Sequence, residues 1–106
     1  MTKSQLGDVA TRLLFENDQV KVWEMDLAPG ESSDFHEHTL PYVLCIIEGE
    51  SIDADLEDGR TIKIPVEPGK VIYVPGGNRE TAVNRSAVRY KEFLVELKQG
   101  PLPDAS

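Results

Sequence analysis

Glycine and proline punctuate this chain so evenly that no long regular element fits between them. Eight glycines and seven prolines are spread over 106 residues rather than clustered. Breaks at that spacing call for many short elements joined by tight turns. No segment carries a helical period. Leu6 to Leu14 reaches one turn at most, and it contains Gly7 and the β-branched Val9 and Thr11. The length suits one domain around one core, spanning residues 1–106.

Between the breaks the pattern is strand after strand. Arg12 to Phe15 is a short stretch stopped by Glu16-Asn17-Asp18. In Val20 to Ala28, Val20 and Val22 share one parity, while Trp23, Met25 and Leu27 share the other, which predicts a bulge. Tyr42 to Ile47 is apolar at every position and reads as a central strand buried on both sides. Ile52, Ala54 and Leu56 alternate with acids, and Ile62, Ile64 and Val66 alternate with Lys63 and Pro65. Asp58-Gly59 between them is a hairpin signal. Val71–Val74, a short Thr81–Asn84 and a long Val88–Lys98 complete the set, with Phe93, Val95 and Leu97 on one face of the last. The first ten residues read as a frayed lead-in and 99–106 as a flexible tail. Short strands at regular spacing with Gly and Pro turns indicate an all-β antiparallel sandwich or closed barrel, and closure removes exposed strand edges.

Charge narrows the partners. Nineteen acidic against eleven basic residues give a net charge of −8. That balance argues against a nucleic-acid partner, which needs clustered Lys and Arg, and against an anionic membrane surface. Cys45 is the single cysteine, so no intrachain disulfide forms. The longest apolar run, Val43 to Ile47, is far too short to span a bilayer. With no signal-peptide pattern near Met1, the expected location is cytoplasmic.

His36-Glu37-His38 contains the chain's two histidines. Positions i and i+2 of a strand share a face, about 7 Å apart along the backbone, so both imidazoles can converge on one cation. The alternative for the same residues is a structural pair. Cys45, Trp23 and Met25 read as core filling. Arg79, Arg89 and Lys91 are candidate positive groups for an anionic ligand, with Lys91 on the parity of Phe93.

Gly30, His36, His38 and Gly49, followed by Gly69, Pro75, Gly77 and Asn84, stand at the spacings of two linked motifs. In this the chain resembles the cupin superfamily, whose motifs are G-x5-H-x-H-x3–4-E-x6-G and G-x5-P-x-G-x2-H-x3-N. The resemblance covers roughly residues 12–98. Two positions depart from it: Tyr42 replaces the usual motif-one glutamate, and Glu80 replaces the usual motif-two histidine. The resemblance implies a single-domain jelly-roll barrel that pairs as a homodimer. It also implies a divalent metal ion (Fe, Zn, Ni or Mn) held by His36, His38 and Glu80, with Glu80 reaching in from a facing hairpin. A two-histidine, one-carboxylate set suits all four of these metals.

The shared parity of His36, His38 and Tyr42 would bring all three inside an unbulged strand. Tyr42 is then a candidate catalytic residue at the metal. Ligation, a hydrogen bond to a bound water, acid–base action and simple packing all remain open for it. Apolar walls are expected from Leu44, Ile46, Val71, Tyr73, Phe93 and Val95, and Asn84 reads as structural. Two functions follow from the resemblance. One is a metal-dependent lyase, isomerase or dioxygenase acting on a small organic-acid-like metabolite. The other is a non-catalytic module that binds or senses a small molecule.

Overall fold

The computed structural model describes residues 6–98, so the tail expected over 99–106 lies outside the described residues. Every regular element among them is a strand: β1 (Arg12–Glu16), β2 (Val20–Leu27), β3 (His36–Glu37), β4 (Tyr42–Glu48), β5 (Ser51–Leu56), β6 (Thr61–Pro65), β7 (Val71–Val74), β8 (Arg79–Val83) and β9 (Tyr90–Leu97). They form two antiparallel sheets, one in the order β1-β2-β9-β4-β7 and the other β3-β8-β5-β6. The two sheets face each other as a jelly-roll barrel, the all-β architecture that the turn spacing predicts. No helix of the described residues is long and apolar enough to cross a membrane.

The turns sit where the glycines predict. The β5–β6 hairpin closes through Leu56 N–H to the Arg60 carbonyl at 2.8 Å, with Gly59 at φ 95°. Gly76 is required for two reasons. Its φ is 92°, and a Cβ there would stand 2.6 Å from the Leu40 carbonyl oxygen. Gly49, at φ 135°, is equally constrained, because a Cβ would meet the Tyr90 ring at 2.8 Å.

Side-chain alternation fills the barrel from both sheets. Trp23, Met25 and Leu27 of β2, Tyr42 and Ile46 of β4, and Tyr90 and Leu94 of β9 are buried in one cluster with Ile52 and Ala82 from the opposite sheet. Each large apolar side chain so buried contributes about 1.5–3 kcal/mol. Val9 and Ala10 join this core, and Gly7 N–H donates to the Phe35 carbonyl at 2.8 Å. The described part of the lead-in is therefore packed rather than frayed.

The strand readings need four corrections. The bulge near Val22 and Trp23 lies in β1: Leu13 pairs with Trp23 and Phe15 with Val22, leaving Leu14 as the extra residue, while β2 pairs with β9 without a break. β4 is buried on one side only, with Ile47 exposed, because a single barrel has one interior. For the same reason Cys45 is only half-buried, and Val71 and Tyr73 are exposed outside the barrel instead of forming its wall. In β9 the faces are opposite to the expectation. Tyr90, Glu92, Leu94 and Glu96 are buried, and Phe93, Val95 and Leu97 share the outer parity.

Candidate metal centre

The four-stranded sheet brings His36 and Glu80 side by side. They are direct cross-strand partners on β3 and β8, so Glu80 comes from the neighbouring strand rather than a facing hairpin. Past the end of β3 the pairing continues: His38 N–H donates to the Asn78 carbonyl at 3.0 Å. His36 and His38 thus keep the i, i+2 relation, and each is 1% exposed. Chain continuity does not bring Tyr42 in, as the parity argument supposed. The chain bends at Leu40-Pro41, and Tyr42 enters the same space from β4 of the other sheet.

The geometry suits a shared cation. One ligand atom from each of His36, His38 and Glu80 lies within 4.8 Å of the others. Glu80 Oε2 is 3.8 Å from His36 Nε2 and 3.6 Å from His38 Nε2, too long for hydrogen bonds. Two atoms each about 2.1 Å from one ion stand roughly 3.4 Å apart at a tetrahedral angle, so these separations leave room for it.

Neighbouring groups aim the ligands. His36 Nδ1–H donates to the Asp34 carbonyl at 2.8 Å, which leaves Nε2 as the bare lone pair turned toward Glu80. The loop carrying Asp34 is pinned to β8 by Ser33, whose N–H donates to the Ala82 carbonyl and whose hydroxyl accepts from Ala82 N–H. Asn78 Nδ2–H donates to Glu80 Oε1 at 2.8 Å, leaving Oε2 for the histidines. The His38 ring stacks on Tyr42 with centroids 4.0 Å apart and meets His36 edge-on. His38 Nδ1 is buried without a hydrogen-bond partner. A buried imidazole with neither nitrogen bonded is costly, and an ion at the common point satisfies one of them. The donor set therefore fits a divalent metal.

Electrostatics reinforce this arrangement. Burial pushes the Glu80 carboxyl up, but positive charge on the two facing rings, or on a cation they hold, outweighs it and holds the group down at about 2, so it is a carboxylate at neutral pH. Burial, with the negative charge of Glu80, pushes the Tyr42 phenol well above its ordinary value. Tyr42 is thus held as an O–H donor and does not serve as a base at neutral pH.

The cavity holding these groups measures about 200 Å³. Its walls are Met25, Leu44, Ile46, Ile64, Ile72 and Leu94, among other apolar residues. Phe93 and Val95, expected as walls, are absent from the lining. The three candidate cations also lie elsewhere: Arg79 pairs with Glu37 and Glu57, Arg89 with Asp26, and Lys91 with Glu24. Asn84 is structural, as expected, its side-chain N–H groups donating to the Leu27 and Val88 carbonyls.

Sequence reasoning missed the cavity's three other polar side chains, Asn78, Tyr90 and Glu92, and several of its apolar walls. Tyr90 O–H donates to the buried Glu92 carboxyl. Burial pushes Glu92 up to about 7, although the Tyr90 hydrogen bond acts in the opposite direction. A glutamate two residues from a tyrosine on one strand face was the available signal.

Solved structures share this architecture. A cupin domain from Bordetella pertussis Tohama I superposes with a TM-score of 0.74 at 21% identity, over 88% of this chain and 100% of that one. An RmlC-like cupin family protein with a double-stranded β-helix fold, from Methanocaldococcus jannaschii, gives 0.65 at 22% identity, over 92% and 85%. The polyketide cyclase RemF from Streptomyces resistomycificus gives 0.58 at 24% identity, over 80% of this chain and 58% of that one. No protein-family model matches the sequence, and no curated protein matches it. The fold is that of the cupins, the fold implied by the two motifs. Its candidate metal centre differs from the motif pattern at Tyr42 and Glu80.

Proposed function

We propose that this chain is a metal-dependent cupin enzyme acting on a compact organic acid or carbonyl compound with a largely apolar body. The observation that carries the reading is the convergence of His36, His38 and Glu80 on one point of a buried, apolar-walled cavity. Similarity to the polyketide cyclase RemF adds support for catalysis on this fold.

The metal, when bound, supplies Lewis acidity for a carboxylate or carbonyl oxygen. The protein's own groups do the remaining work. The apolar walls exclude water and orient the substrate's body. Tyr42, stacked on His38 and protonated, donates a hydrogen bond to a substrate oxygen or supplies its proton. Asn78 and the Asp34 carbonyl keep the ligands in place. Elemental analysis tests the reading. Purified protein is expected to carry, or take up, close to one divalent ion per chain, and His36→Ala and Glu80→Ala are expected to lose it. Wild-type protein that takes up no metal would end this proposal.

A homodimer and a cytoplasmic setting complete the proposal, the latter resting on the sequence reading alone. One apolar row supports the dimer. Phe15, Val22, Val95, Val43 and Tyr73 are successive cross-strand neighbours over the whole width of the larger sheet. Phe15 and Tyr73 at its ends are 54% and 61% exposed. A second copy seated on this face would cover it, and sedimentation velocity distinguishes the dimer from a monomer.

A further inference from the structure

The metal centre occupies only part of the cavity. Glu92 opens into the same space from β9, where its cross-strand partners are Met25 on one side and Ile46 on the other. Its side chain is 4% exposed overall. A carboxyl group offers about four acceptor sites. Among the described residues Glu92 receives one hydrogen bond, from Tyr90 O–H. Its other neighbours across the sheet are apolar, so the remaining acceptor capacity meets nothing within the protein. Leucine would fill this position in a barrel wall at far lower cost.

Glu96 shows what a purely structural glutamate looks like on the same strand face. It accepts from Trp23 Nε1–H at 2.8 Å and takes no part in the cavity lining. Glu92 differs from it in the one respect that matters for a ligand, its access to the cavity.

We infer that the Tyr90–Glu92 pair is a second polar anchor in the cavity, which accepts a hydrogen bond from a hydroxyl group on the ligand. Resting on the metal-centre reading, this assigns the substrate class more closely. The ligand is a compact hydroxy acid or hydroxy-carbonyl compound. One oxygen end meets His36, His38 and Glu80, the apolar body lies against the cavity wall, and an O–H elsewhere on the molecule meets Glu92. A volume of about 200 Å³ equals roughly seven waters at about 30 Å³ each, so the molecule is small.

Matched probes on zinc-incubated protein test the assignment. Benzoate is compared with 4-hydroxybenzoate, and hexanoate with 6-hydroxyhexanoate, by calorimetry on wild type, Glu92→Gln and the double variant Tyr90→Phe/Glu92→Leu. The double variant removes both partners together and so leaves no orphaned hydroxyl to unfold the barrel. In wild type the hydroxylated member of at least one pair is expected to bind roughly tenfold or more tightly than its match. That preference should be lost in the double variant, while zinc stoichiometry stays the same. No hydroxyl preference in wild type, or a preference that survives in the double variant, overturns the anchor. A preference that is present and lost as expected in protein that takes up no zinc upholds the anchor and overturns the metal reading instead.

Discussion

At the smaller sheet, Glu80 faces His36 across 3.8 Å and His38 across 3.6 Å, with no hydrogen bond among the three. On the larger sheet, Glu92 and Glu96 are equally enclosed, yet each accepts a hydrogen bond from its own aromatic partner, Tyr90 or Trp23. The first arrangement leaves three electron-rich atoms converging on a common gap. The second gives each acid one internal donor and leaves the rest of Glu92's acceptor capacity facing the cavity. Burial alone therefore does not mark a metal site in this barrel. What marks it is a set of ligand atoms fixed by outside partners, Asp34 and Asn78, and left bare toward each other.

The sharpest way to break the comparison is to make an internally satisfied acid resemble an unsatisfied one. Trp23→Phe removes the donor to Glu96 and leaves a buried carboxylate without it. The expected loss is about 3 kcal/mol in urea unfolding. A change near zero would show that the Trp23–Glu96 bond does not hold the strand face.

A second test uses pH. Glu92 titrates near 7 in the folded barrel, above its ordinary 4.5, so folding favours the neutral form. The neutral carboxyl imposes no charge penalty below about pH 4.5. Stability is lost as pH rises through about 7, by about 3 kcal/mol in total. Tyr90, Glu80 and His36 are the polar groups acting on it. Glu92→Gln should remove this slope, so wild type and variant unfolding energies should converge below about pH 4.5, diverge between about pH 4.5 and 7, and stay apart by a constant amount above that. Parallel profiles between about pH 4.5 and 7 would contradict the assignment. Glu80 has the opposite sign: its carboxylate form is favoured in the fold and is lost only as pH falls toward about 2.

The smallest effect concerns aim. Asn78→Ala frees Glu80 Oε1 while removing none of the three ligand residues. Zinc affinity should fall by roughly tenfold, read by competition with a chromophoric chelator. An unchanged affinity would mean that Asn78 does not orient Glu80.

These contrasts also explain what the sequence makes legible. Turn residues are local, so Asp58-Gly59 and Pro68-Gly69 correctly divide β5, β6 and β7. The motif spacing places His36, His38 and Glu80 because pairing of β3 with β8 carries that spacing into contact. β9 misleads, since Phe93, Val95 and Leu97 form the more apolar alternation and yet face outward. Its inner acids are stabilised by Tyr90 and Trp23, and the Trp23 partnership spans 73 residues, beyond any periodic pattern. Tyr42 reaches the site for a reason unrelated to its parity with the histidines, because the bend at Leu40-Pro41 moves it onto the other sheet. Lys91 is a candidate positive group for a ligand only through its shared parity with Phe93; both face outward, and Lys91 meets Glu24 there.

Anomalous diffraction at the zinc edge from zinc-incubated crystals reads the metal centre most directly. A single strong peak is expected at about 2.0–2.2 Å from Nε2 of His36, Nε2 of His38 and Oε2 of Glu80. A map with no peak inside the barrel, or with zinc held only by surface carboxylates, would contradict it.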